Sequence, residues 1–187
     1  MRITLKWLIM GLFSLNLANA QKLTAENWQA SPKIKAIKVI QSEVDRLEFD
    51  NVDTQNLGGC NGLSEARVLN SDAQNNPRAY YQEIYTKDVY YGLDYIYDRD
   101  GKLRYAEIQG MVGANNIINW TFYFDENNQV LWKNVKQQGT YTWIDPLKKM
   151  PFNALETFAT IPKCATKGIP LGDGSPLIEP IAPPETP

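Results

Sequence analysis

The chain has 187 residues, no histidine, two cysteines and a formal net charge of −2. Without histidine it has neither Ser-His-Asp nor Cys-His catalysis, and no His-ligated zinc or iron. With acids in excess and no basic stripe, nucleic acid and anionic membrane are not expected as partners.

Residues 1–20 read as a signal peptide: Arg2 and Lys6 start it, Trp7 to Leu17 is mostly apolar, and Ala18-Asn19-Ala20 offers small residues for cleavage. The apolar run falls short of the ~20 residues of a membrane span. A mature chain from Gln21 has lost two bases and no acid, so it is more acidic still. Localisation in the periplasm or outside the cell is expected, without membrane contact after cleavage. Residues 21–164 are expected to form a single α+β domain.

Ala30 to Leu47 is expected to be a helix. Ser31 suits the N-cap and Pro32 the first helical position, and Ile34, Ile37, Ile40, Val44 and Leu47 make one apolar stripe. Lys33, Lys35 and Lys38 read as its solvated side. Asn51 to Asn61, polar and carrying Gly58-Gly59-Cys60, reads as a loop. Glu65 to Asn70 allows a short strand, and a further strand is expected over about 78–87.

From there one hairpin is written twice, about 27 residues apart. Tyr95-Ile96-Tyr97-Asp98-Arg99-Asp100-Gly101-Lys102-Leu103-Arg104-Tyr105 aligns with Phe122-Tyr123-Phe124-Asp125-Glu126-Asn127-Asn128-Gln129-Val130-Leu131-Trp132. Each turn suits a type I turn followed by a left-handed residue, Gly101 or Asn128. This predicts strands at 88–98, 102–109, 116–125 and 129–137. The whole is expected to be one N-terminal helix on a twisted antiparallel meander of four to six strands.

Regular pairing from these turns sets Tyr97 against Leu103, Tyr95 against Tyr105, Phe124 against Val130 and Phe122 against Trp132, all on one face. The helix stripe is expected to cover that face. Tyr90, Ile96, Arg104, Tyr123, Leu131 and Lys133 are then expected on the opposite face, under the Cys60 loop and the 145–164 segment, or open as a binding surface. The same register sets Glu107 opposite Leu93 and Asn134 opposite Trp120. An enclosed Glu107 would be a candidate acid or base.

Tyr95-x-Tyr97-Asp98-x-x-Gly101-Lys102-Leu103 resembles a single tyrosine-aspartate repeat of large secreted shell-forming toxins. Two such units build no shell, and no function is carried over. Asp98, Asp100 and Asp125 read as turn formers, so no metal and no cofactor is implied. Cys60 and Cys164, an even pair in an exported chain, are expected to form a disulfide. Pro151 to Phe158 allows a turn or two of helix, Thr140 to Ile144 a short strand, and 165–187 is a Pro-rich tail.

Composition and pattern together point to an exported, non-enzymatic binding or accessory protein. Its partner would be a protein, peptide or glycan. Tyr90, Arg104, Tyr123, Lys133 and Glu107 are the candidate binding residues. The rival readings are a carboxylate-using enzyme built on Glu107 and a structural subunit joined through its sheet edge or tail.

Overall fold

The structure, a computed structural model, describes residues 22–58, 64–85, 89–141, 147 and 150–160. A short 3-10 turn, Trp28–Ala30, leads into α1, Pro32–Val44. Seven strands follow: β1 Asn51–Gly58, β2 Ser64–Ser71, β3 Pro77–Tyr85, β4 Val89–Tyr97, β5 Leu103–Val112, β6 Asn116–Phe124 and β7 Val130–Gln138. Helix α2, Ala154–Ala159, comes last. The strands form one antiparallel sheet in chain order, β1 to β7. The antiparallel meander with helices is as expected, but it has seven strands rather than four to six. The signal segment, both cysteines and the tail lie outside the described residues. So does most of the strand expected near 140–144, whose described residues Thr140 and Tyr141 are not in a strand.

The added strand is β1, expected to be a loop. It pairs with β2 from Asn51↔Ser71 to Gly58↔Ser64. As an edge strand it is paired on one side only, and Val52, Asp53, Thr54 and Asn56 are exposed. No alternating apolar pattern is required of such a strand, so none is written in its sequence.

The two recognised hairpins form with the expected turns. Gly101 and Asn128 have φ of 70° and 61°. Asp98 Oδ1 accepts from the N–H groups of Asp100 (3.0 Å) and Lys102 (2.9 Å). Asp125 Oδ1 accepts in the same way from Asn127 (2.8 Å) and Gln129 (2.9 Å). A third copy joins β2 to β3. Asp72 Oδ1 accepts from Gln74 and Asn76 N–H, and Asn75 has φ of 62°. The sequence conceals this copy because Asn70-Ser71 and Pro77 stand where the others have aromatic or aliphatic residues.

Each hairpin carries a bulge just past its turn, and this corrects the expected register. Tyr97↔Leu103 and Phe124↔Val130 hold, but the next pairs are Ile96↔Tyr105 and Tyr123↔Trp132. Arg104 and Leu131 are the extra residues, and Arg78 is their counterpart in the third copy. Every later side chain on the returning strand therefore changes face. Tyr95 lies opposite Ala106, and Phe122 opposite Lys133. Glu107 lies opposite Asp94, not Leu93, and Asn134 opposite Thr121, not Trp120.

The covers of the two faces are also exchanged relative to expectation. The face carrying Tyr80, Leu93, Tyr95, Tyr97, Leu103, Ala106, Phe122 and Phe124 packs against Met150, Phe152, Ala154 and Phe158 of the C-terminal segment. Tyr97 Oη donates to Pro151 O at 2.7 Å. Beside it Arg67, ion-paired with Glu65, donates to Thr160 O at 2.8 Å, so two buried charged side chains hold the end of α2.

Helix α1 lies on the other face and crosses the strands. Ile34 and Ile37 sit on Tyr123, Tyr105 and Trp132, and Val44 sits on Ala79 and Ile96. Trp28 extends this cover, stacked on Trp132 at 5.7 Å. The reason for the exchange is local. The bulges send Tyr105 and Trp132 to the Tyr123 face, giving it an aromatic row of its own for the Ile34–Val44 stripe.

Candidate functional site

Helix α1 covers only the end of its face that lies near the hairpin turns. Moving along the strands away from it, the next cross-strand row is Val68–Tyr81–Asp94–Glu107–Thr121–Asn134, and the one beyond is Ala66–Glu83–Gly92–Gln109–Asn119–Lys136. A depression of about 420 Å³ opens there, lined by Ala66, Val68, Tyr81, Gln82, Glu83, Tyr90, Gly92, Asp94 and Gln109. Three features of the strands make it concave. Helix α1 stops short of it, Ala66 and Val68 are small, and Gly92 has no side chain. Tyr90 lies across that gap, so that a methyl group at Gly92 would come within 2.8 Å of Tyr90 Oη.

Three carboxylates meet on this surface. Asp94 and Glu107 are direct cross-strand partners, and Glu83 pairs with Gly92 one row away. Glu107 accepts one hydrogen bond at each oxygen: Tyr105 Oη donates to its Oε2 at 2.8 Å and Gln109 Nε2 to its Oε1 at 3.0 Å. Asp94 is half-buried and has no hydrogen-bond donor or ion-pair partner among the described residues. Burial raises its pKa, and the neighbouring charges of Glu107 and Glu83 raise it further. Tyr81 and Tyr90 titrate above the usual tyrosine range, first through burial and then through Asp94 and, respectively, Asp45 and Glu83. None of the three acids is in an ion pair among the described residues, and Lys136, three strands along the same row from Gly92, is a cation of that face. Among the described residues no three acids converge closely enough to hold a metal ion.

The structure sorts the five expected site residues. Tyr90 lines the depression and is 39% exposed. Glu107 stands at its edge, on the opposite face from the one expected. Tyr123 is 6% exposed and lies beneath Trp28 and α1. Arg104 is buried at its bulge, donating from Nε to Phe124 O (3.2 Å) and from Nη1 to Asp98 Oδ2 (3.0 Å). Arg78 does the same at the preceding bulge, donating from Nε to Tyr97 O at 3.4 Å. These arginines tie each hairpin to the next. Lys133 is exposed on β7 opposite Phe122, on the face that α2 covers elsewhere. Asp94, Glu83, Gly92, Gln109 and Tyr81 are the residues that the sequence reading missed. The alternation that buries Tyr91, Leu93, Tyr95 and Tyr97 already sets Tyr90, Gly92 and Asp94 together on the other face.

The chain matches no protein-family model, no curated protein and no solved structure. Among the described residues no helix is long and apolar enough to cross a membrane.

Proposed function

We propose that this is an exported, non-enzymatic binding protein whose ligand sits in the depression over Asp94. The observation that carries the reading is the half-buried Asp94 carboxylate, unpartnered among the described residues and set beside two further acids. Partial burial and the two neighbouring acids disfavour its negative charge, and a donor or cation bound there would offset that. The size supports it too, because small-molecule sites commonly span about 300–1,000 Å³. Catalysis through Glu107 gains no support, because both its oxygens already accept hydrogen bonds. Assembly through β7 is disfavoured by Lys133, Lys136 and the Leu131 bulge, which blunt that edge.

Two measurements test this reading. Mass spectrometry of the protein from its native host should find an N-terminus at Gln21, and a dominant intact Met1 form would overturn export. Amide NMR spectra of the mature protein should be recorded against panels of amines, short peptides and oligosaccharides. Shifts should cluster at Tyr81–Glu83, Tyr90–Asp94 and Glu107–Gln109. Shifts confined to Val130–Val135 or to the tail would contradict the proposed surface.

A further inference from the structure

We propose that the group bound over Asp94 is an organic cation, an alkylammonium or guanidinium head on a short aliphatic stem. This inference rests on the binding reading above and specifies its ligand. Asp94 is acceptor-only when ionised and meets no donor within the described chain, so a ligand bound against it would supply one. Glu107 opposite it and Glu83 in the next row make the surface negative, which favours a donor that is also positively charged.

The lining then separates organic cations from metal ions. A hard metal needs several oxygen ligands converging at short range, and among the described residues no such set exists. Tyr81 and Tyr90 line the depression instead, and tyrosine rings attract alkylammonium and guanidinium groups. Ala66 and Val68 leave apolar surface where a methylene stem can lie, beside the Tyr90 ring that fills the gap over Gly92. Gln109, whose side-chain nitrogen is already committed to Glu107, retains an amide oxygen that can accept a second donor of the same head. Free amines and the side chains of lysine or arginine in a peptide share this chemistry.

The test uses the mature full-length protein at neutral pH, with n-butylammonium, n-butylguanidinium and n-butanol as probes. N-acetyl-lysine methylamide is added to separate a peptide side chain from a free amine. Both cations should shift the Tyr90–Asp94 and Glu83 amides saturably, whereas butanol should leave them in place. Asp94→Asn, which keeps the shape and removes the charge, should weaken cation binding by tenfold or more while its amide spectrum stays dispersed. Glu107→Gln should weaken it less, because that carboxylate is already engaged. If the lysine derivative binds more tightly than butylammonium, the natural ligand is a peptide side chain; the reverse order indicates a free amine. Equal shifts from butanol, or undiminished cation binding by Asp94→Asn, would overturn the cation proposal and leave the binding surface standing. If amines, peptides and oligosaccharides all leave these amides unmoved, the cation and the surface both fall.

Discussion

Tyr123 and Phe124 are neighbours in the chain and face opposite ways, yet both are buried. Phe124 is fully enclosed and meets Phe152 edge-on at 5.5 Å, while Tyr123 lies under Trp28 and the Ile34–Ile37 end of α1. Truncation of a buried aromatic typically costs about 3–5 kcal/mol. Phe124→Ala and Tyr123→Ala should therefore both destabilise severely in denaturant melts. A mild Tyr123→Ala would mean that α1 does not cover its face. Arg104 behaves as a structural residue on the same reasoning. It is 8% exposed and is bonded to a backbone carbonyl and to Asp98, so its loss should lower stability rather than ligand affinity.

At the scale of the hairpin, the turn residues dictate both the loop and the bulge that follows. Gly101 occupies a left-handed conformation that costs other L-residues about 1–2 kcal/mol. Gly101→Val should cost at least that much by thermal or denaturant melting. Asn128→Gly should be neutral or slightly stabilising, since Asn128 already bears the strain of φ 61°. The first pair beyond each turn was legible in the sequence, because Asp, Gly and Asn fix the loop. The bulge was not, because a single extra residue leaves no mark on an aromatic strand until its facing partners are known. The sequence therefore points to Glu107 but sets it on the wrong face. Asp94 is legible in its phase on β4, but its acidic partner is not, because the regular register sets Ala106 opposite it. The third hairpin is hidden for want of aromatics, and β1 for want of a buried apolar row.

For the molecule as a whole, the two faces of the sheet are covered by opposite ends of the chain. The C-terminal segment reaches the β1–β2 hairpin, where Gln55 Nε2 donates to Phe158 O at 3.1 Å and Arg67 Nη1 to Thr160 O at 2.8 Å. Cys60 belongs to the β1–β2 connection and Cys164 follows Thr160 by four residues, both outside the described residues. We propose a Cys60–Cys164 disulfide from the even cysteine pair of an exported chain. Closing a loop of about 100 residues would stabilise the fold by about 4 kcal/mol in the chain-entropy view. Peptide mapping without reductant should recover one cross-linked fragment. Alkylation of both thiols in the folded, unreduced protein would contradict it.

Stability against pH is where the binding surface acts on the whole fold. Asp94 titrates above its ordinary value of 3.8 in the folded chain, through burial first and then through Glu107 and Glu83. Tyr81 from β3, Tyr90 on its own strand and Tyr105 from β5 also surround the acids, and all three are neutral at the pH values concerned. Asp45, at the end of α1, acts on Tyr81. A folded-state pKa raised above the unfolded value favours the protonated native form. That contribution is fully present below the unfolded pKa and is lost as pH rises through the folded pKa. Above the folded pKa the ionised Asp94 therefore lowers stability, and like charges directly opposite on adjacent strands cost roughly 0.2–1 kcal/mol.

The most direct test of the central claim, that Asp94 is held charged and unpartnered for a ligand, compares denaturant melts of wild type and Asp94→Asn without ligand. The variant should be the more stable at pH 7 by about 0.2–1 kcal/mol. The gain should vanish near pH 3, below the ordinary aspartate range. An Asp94→Asn protein that is less stable than wild type at pH 7 would show that the carboxylate already has a structural partner in the chain, and would contradict the account.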